Sequence, residues 1–364
     1  MNKIPFDEKE LEVTAEMPGP FPGRPPVRIY GNRPISTKEN FRLTYEKKPM
    51  WIPDVNDSIT FSPTVVPDNV ARAFVVSGET FDNATQSGGK DMFGIDWVYV
   101  PAAGGSMVKP GNPTLLDAND WEKVIKFPDV RSWDWAKSAE LNKEYVRKDR
   151  AIAFWLINGA WFERLVSFMD FDAAVMALID EDQQEAVHAL FTKTTQVMCD
   201  LVDVALEYFP EIDSFLVHDD WGSQAQPFFS YDTAMEMIVP HMKVLTDHIH
   251  SKGKIADLHS CGHTEKRVEC YIAAGWDSWT PQPMNDSVKL FEEYGDKIII
   301  GVAPDLKPDM TPEQQGEAGK AYAERFAIPG KPVRLGRGAV AATAPEFDEE
   351  LYKASRLRYL EATE

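Results

Sequence analysis

A (β/α)8 barrel of the TIM type with an N-terminal extension is the fold class this sequence predicts. Three observations predict it. Strand and helix signals alternate six times after residue 151, and each strand is followed by polar or Gly-containing residues and then a helix. That is the pattern of a parallel α/β sheet. Two apolar strand segments before residue 151 bring the count to eight. At 364 residues the chain is long enough for one large barrel plus an arm. No G-x-G-x-x-G follows the early strands and no Walker A sequence occurs, which sets nucleotide folds aside. An open doubly wound sheet is the alternative.

The elements follow in order. Residues 1–36 are polar and proline-rich, with five Pro or Gly among the six residues from Pro18 to Gly23 and Pro25-Pro26 just beyond. They read as an irregular arm. The barrel domain is expected over residues 37–364. Ser36 and Glu39 have capping-box spacing and predict a short helix that ends before Pro49. Ile59 to Phe61, Ala73 to Val76 and Trp97 to Val100 read as strands, and Asp91 to Gly94 as a loop. Asp117 to Trp135 is a Pro-interrupted helical passage. Ala151 to Ile157 is a continuous apolar run of strand length. Helices are expected from Trp161 to Phe168 and from Glu181 to Tyr208, where apolar residues recur at helical spacing. The strand Ser214 to Val217 precedes a helix over 232–250. Ile255 to His259 is the next strand, followed by a helix, a short strand at 276–279 and a helix over 287–294. Lys297 to Val302 is a buried strand. Thr311-Pro-Glu-Gln314 opens a helix with a capping box. Val333 to Leu335 and a helix over 347–361 close the chain.

Composition excludes several functions. A net charge of −20 argues against binding nucleic acid or anionic lipid, both of which want basic surface. No run of 18 apolar residues occurs, so no membrane span is expected. The N-terminus lacks the apolar core of a secretory signal. Three Cys give no disulfide framework, and a reducing cytoplasm is the expected location.

In a barrel of this type the chemistry sits at the C-terminal ends of the strands. Those ends carry Asn158 and Trp161; His218, Asp219, Asp220 and Trp221; His259, Cys261 and His263; Gln282; and Asp305. His259 and Cys261 are two apart on a strand, which sets an imidazole and a thiol side by side. Zinc accepts both donors. Each residue also has a plainer reading: Asp219 and Asp220 as N-caps, His218 as a core histidine, and Cys199 and Cys270 as core.

Ser214 to Gly222 with Gln224, His259-Ser-Cys-Gly262, Ile272 to Asp277, Asp91 to Gly94 and Lys126 to Asp129 together resemble the uroporphyrinogen decarboxylase superfamily. The likeness spans roughly residues 36–360. The decarboxylases of that superfamily carry an Arg-rich N-terminal segment that is not cleanly matched here. The sequence is more similar to the corrinoid-linked methyltransferases. These move a methyl group between a small molecule and the cobalt of a separate corrinoid protein, and bind zinc through His-x-Cys and a distant Cys. His259 and Cys261 match the first two ligands. Gly338 falls where the third Cys is expected.

That departure has a physical reading. With one thiolate fewer, zinc is more positive and more Lewis acidic, which suits an ether or alcohol oxygen. The resemblance therefore implies the first methyltransferase of an O-demethylase system, acting on a small methoxylated aromatic. Glu79 or Asp219 is expected to complete the metal site. Trp155, Trp161 and Trp221 are expected to sandwich the ring, with Gln224 beside them, and His218 or Asp220 to donate the proton. Alternatives are transfer involving a thiol or an amine, and decarboxylation. A homodimer is compatible with the sequence.

Overall fold

The computed structural model describes residues 4–17, 26–54, 57–101, 105–109, 111–146, 149–336 and 343–362. Gly338 and residues 18–25 of the proline-rich run lie outside them. Seven strands belong to the main sheet: β1 (Ser58–Phe61), β2 (Ala151–Asn158), β3 (Ile212–His218), β4 (Ile255–His259), β5 (Ser278–Trp279), β6 (Ile299–Val302) and β7 (Arg334–Leu335). The principal helices that follow β2 are α1 (Phe162–Met169), α2 (Gln184–Tyr208), α3 (Val239–Ser251), α4 (Val268–Ala273), α5 (Ser287–Tyr294), α6 (Pro312–Phe326) and α7 (Pro345–Glu361).

The chain divides into two compact units. One comprises Thr60–Arg147 and Ile152–Trp276, the other Met1–Ile59, Lys148–Ala151 and Asp277–Glu364. In the first, β2 pairs with β3 and β3 with β4, all parallel and in chain order. Every residue of β2 is buried, as expected of a parallel strand covered on both faces. In the second unit, β5, β6 and β7 form another parallel run in chain order. Thr311 caps α6, with both halves of the predicted capping box present. Residues of the N-terminal arm form a short 3-10 helix, Glu8–Leu11, and an antiparallel pair, Ala15–Met17 with Val27–Ile29. The buried Glu10 accepts hydrogen bonds from Tyr352 and Arg356 of α7.

Several expectations are corrected. The sheet of described residues has seven strands and two ends, so it is not a closed barrel of eight. The segment from Ala73 to Val76 makes one antiparallel bridge, Ser62 with Val76. Ala73 sits at φ 60, a left-handed conformation that a regular strand does not accommodate. Asp96–Val100 instead joins Gly89–Lys90 and Gly105–Val108 in a separate antiparallel sheet. The helix expected over 232–250 is also two, Tyr231–Met237 and α3. Pro240 stands in the first turn of α3, where its missing N–H is tolerated but through which a longer helix would lose a bond. Among the described residues no helix is long and apolar enough to cross a membrane.

Candidate metal centre

Parallel pairing brings the ends of β2, β3 and β4 into one row. Asn158 lies opposite His218, and His218 opposite His259. The chain continues past β3 to Asp220 and past β4 to Cys261. Each of these two strands thus offers an imidazole and, two residues on, a second metal-ligating group. Among the described residues, ligand atoms of His218, Asp220, His259 and Cys261 all lie within 4.8 Å of one another.

The contacts inside the cluster are close. His218 Nε2 is 2.8 Å from Asp220 Oδ1, and His259 Nε2 is 3.2 Å from Cys261 Sγ. The backbone N–H of Cys261 donates to Asp220 Oδ1 at 2.5 Å, tying the two loops together. The two imidazole centroids are 4.9 Å apart. Gly262 lets the loops approach. It has φ 92, and a Cβ there would sit 2.1 Å from the carbonyl oxygen of Gly222.

Glu163, in the first turn of α1, stands behind the cluster. Its Oε2 is 3.2 Å from His218 Nδ1 and accepts the backbone N–H of Asp220 at 3.1 Å. Its Oε1 pairs with Arg72 at 3.2 Å, whose guanidinium lies over the Trp97 ring. Burial works against a charged His218, but the carboxylates of Glu163 and Asp220 outweigh it and raise its pKa well above the ordinary value. Burial also disfavours charge on Asp220, yet His218 beside it holds the carboxyl below its usual range. Burial pushes the Cys261 thiol up.

This donor set fits zinc. Two imidazoles, a carboxylate and a thiol are all zinc ligands, and tetrahedral coordination wants its donor atoms about 3.3–3.8 Å apart. Glu163 stands at ion-pair distance from the second ring nitrogen of His218, where a carboxylate can support a metal-bound histidine, an effect worth about 10- to 100-fold in affinity. Glu163→Ala is therefore expected to weaken zinc binding about 10- to 100-fold, measured by competition with a chromophoric chelator. Unchanged affinity would show that Glu163 does not orient His218.

The other residues singled out in the sequence are placed elsewhere. Asp219 is fully buried and accepts the N–H groups of Trp161, Phe162 and Glu163 at 3.0–3.2 Å. It also accepts the Trp221 indole N–H at 2.8 Å. It thus caps α1 from the neighbouring strand, satisfying N–H groups that the helix cannot satisfy itself. Burial, with the charge of Glu163, pushes its pKa up to about 7. Trp161 and Trp221 are wholly buried. The Trp161 indole donates to Thr195, so both rings serve packing in this structure and not an open ring sandwich. Trp155 is beside the cluster, its ring centroid 5.9 Å from that of His218 and 6.0 Å from that of His259. Gln224 is on an exposed loop. Glu79 is not in the cluster; its carboxylate accepts from Thr64 and Ser77.

The sequence points to His218 or Asp220 as a proton donor and does not mark Glu163. The two-residue spacing that joined His259 to Cys261 also joins His218 to Asp220, so that signal was present. Glu163 carries none, because it meets His218 only after β2 and β3 pair.

No known family pattern matches the sequence, and no curated protein does. Among solved structures, a methyltransferase from Methanosarcina mazei is similar over 89% of this chain and 99% of its own, with a TM-score of 0.56 at 14% identity. That likeness is one of fold. A D-psicose 3-epimerase from Clostridium cellulolyticum H10 is similar over 68% of this chain and 85% of its own at 8% identity, with a TM-score of 0.30. That score is too low to support any argument.

Proposed function

We propose that this protein is a methyltransferase that moves a methyl group from a small methoxylated aromatic to the cobalt of a separate corrinoid protein. The observation that carries the reading is the cluster of His218, Asp220, His259 and Cys261 at the ends of two adjacent parallel strands. It holds one thiol where a thiol-activating zinc site would hold more. When bound there, zinc supplies a Lewis acid suited to an ether oxygen. The four residues would hold the metal, and Glu163 would orient His218. Trp155, flanked by Phe74 at a centroid distance of 4.1 Å, supplies an aromatic wall beside the imidazoles. Asp219 has no part in proton transfer on this reading, since both its oxygens accept N–H bonds that hold α1. The fold shared with a methyltransferase is compatible with the proposal.

The test is methyl transfer from a panel of methoxybenzenes, methoxyphenols and methoxybenzoates to a reduced corrinoid protein. Zinc-loaded protein is expected to convert the Co(I) absorption to that of methyl-cobalt with at least one of them. No transfer from any member of the panel overturns the reading.

A further inference from the structure

The β2 strand carries an irregularity that re-aims its last residues. Trp155 lies opposite Leu216, and Asn158 opposite His218, with a register shift between Trp155 and Ile157. Leu216 and His218 are two apart and share a face. Trp155 and Asn158 are three apart, which in a regular strand would put them on opposite faces. The bulge absorbs one residue, so both side chains come to the face that carries His218 and His259. The ring distances from Trp155 to both imidazoles agree with that placement.

Both residues bring an N–H group with nothing to bond. Trp155 is 6% exposed and Asn158 4%. Trp155 Nε1 and Asn158 Nδ2 are buried and have no hydrogen-bond partner among the described residues. The contrast with the neighbouring indoles is direct, since those of Trp161 and Trp221 are paired. A buried unpaired donor is costly, and two on one face beside a metal-ligating cluster call for an acceptor.

We infer that Trp155 Nε1–H and Asn158 Nδ2–H form the donor pair that holds the substrate oxygen at this site. The class of ligand, an aryl ether and its phenolate product, rests on the methyltransferase reading. The donors suit both, and bond the phenolate more strongly because the oxygen then carries charge. They also give selectivity: an oxygen-free isostere would leave both N–H groups buried and unpaired.

Binding of methoxybenzene and of its oxygen-free isostere ethylbenzene to zinc-loaded protein tests this, with Asn158→Leu and Trp155→Phe beside wild type. Wild type is expected to prefer methoxybenzene. Each variant is expected to lose about tenfold in affinity for methoxybenzene; Asn158→Leu is expected to lose nothing for ethylbenzene, and Trp155→Phe, which keeps a smaller aromatic wall, less than it loses for methoxybenzene. Because the amide has no partner to lose, Asn158→Leu is expected to leave the thermal midpoint of the ligand-free protein unchanged or raised. A wild type that binds neither probe or does not distinguish them, variants that lose both equally, or a lowered midpoint in Asn158→Leu, would overturn the inference. The two proposals fail separately. Selective binding without methyl transfer to cobalt removes the enzymatic reading and leaves the donor pair. Methyl transfer with no loss of selectivity in the variants does the reverse.

Discussion

His259→Ala and Cys261→Ala are each expected to lose the zinc, about one per chain, that the wild type is expected to carry. Elemental analysis of the three proteins purified side by side is the measurement. The expectation follows from how few atoms hold the site: four ligand groups, two from each of two strand ends. Deleting one leaves three, and the loss should exceed the about 10- to 100-fold change typical of disturbing a supporting residue. His259→Ala also removes one partner of the Cys261 thiol. Burial already pushes that thiol up, so without a metal it stays protonated and is a poor ligand. Zinc retained in both variants, or absent from wild type, would rule out a metal held by this cluster.

Arg164→Leu should be the most destabilising single change in the neighbourhood, at about 3–5 kcal/mol. Arg164 is buried in α1, with Nη2 2.7 Å from Asp68 Oδ1 and Nη1 2.5 Å from Asp91 Oδ2. It also donates to the carbonyls of Gly159 and Asn158 and lies over the Phe93 ring. Both carboxylates are fully enclosed. Removing the cation strands two negative charges without water, and that penalty dominates the lost contacts. Asp68 also accepts the backbone N–H of Asn158 at 2.9 Å, so the turn from β2 into α1 should loosen and Glu163 with it. Urea unfolding of metal-free protein measures the loss. A change below about 1 kcal/mol would mean that the site relaxes or hydrates in a way this packing does not allow.

What was legible in the sequence follows from what is local. The alternation after residue 151 is carried by apolar runs and caps, and β2, β3, β4 and β6 lie where those runs are. The number of strands was not legible, because Ala73 to Val76 has strand composition but a left-handed Ala73. At the site, the spacing of His259 and Cys261 marks them out directly. The partners from β3 required knowing which strands are neighbours. Asp219 and Asp220 look alike in sequence, yet one is enclosed by N–H donors and the other faces the cluster. Trp161 and Trp221 look like pocket residues for the same reason. Only the structure shows that their indole N–H groups are already paired inside the core. Asp91 read as part of a loop motif; its partner Arg164 lies 73 residues away.

The tie between the β3 and β4 loops has a consequence for when the metal can bind. His218 and His259 are 41 positions apart in the chain and meet only through parallel pairing, the kind of contact that forms late because a long segment must be ordered first. An unfolded chain offers only local fragments of the site, such as His259 with Cys261. On the proposed reading, zinc would distinguish folded from unfolded chains strongly, and by mass action would act as a ligand of the native topology itself. At a free concentration 100 times its dissociation constant it would add about 2.7 kcal/mol to stability. The melting temperature would then be a titration curve for the metal, and scarcity of zinc would leave less of this protein in its folded form.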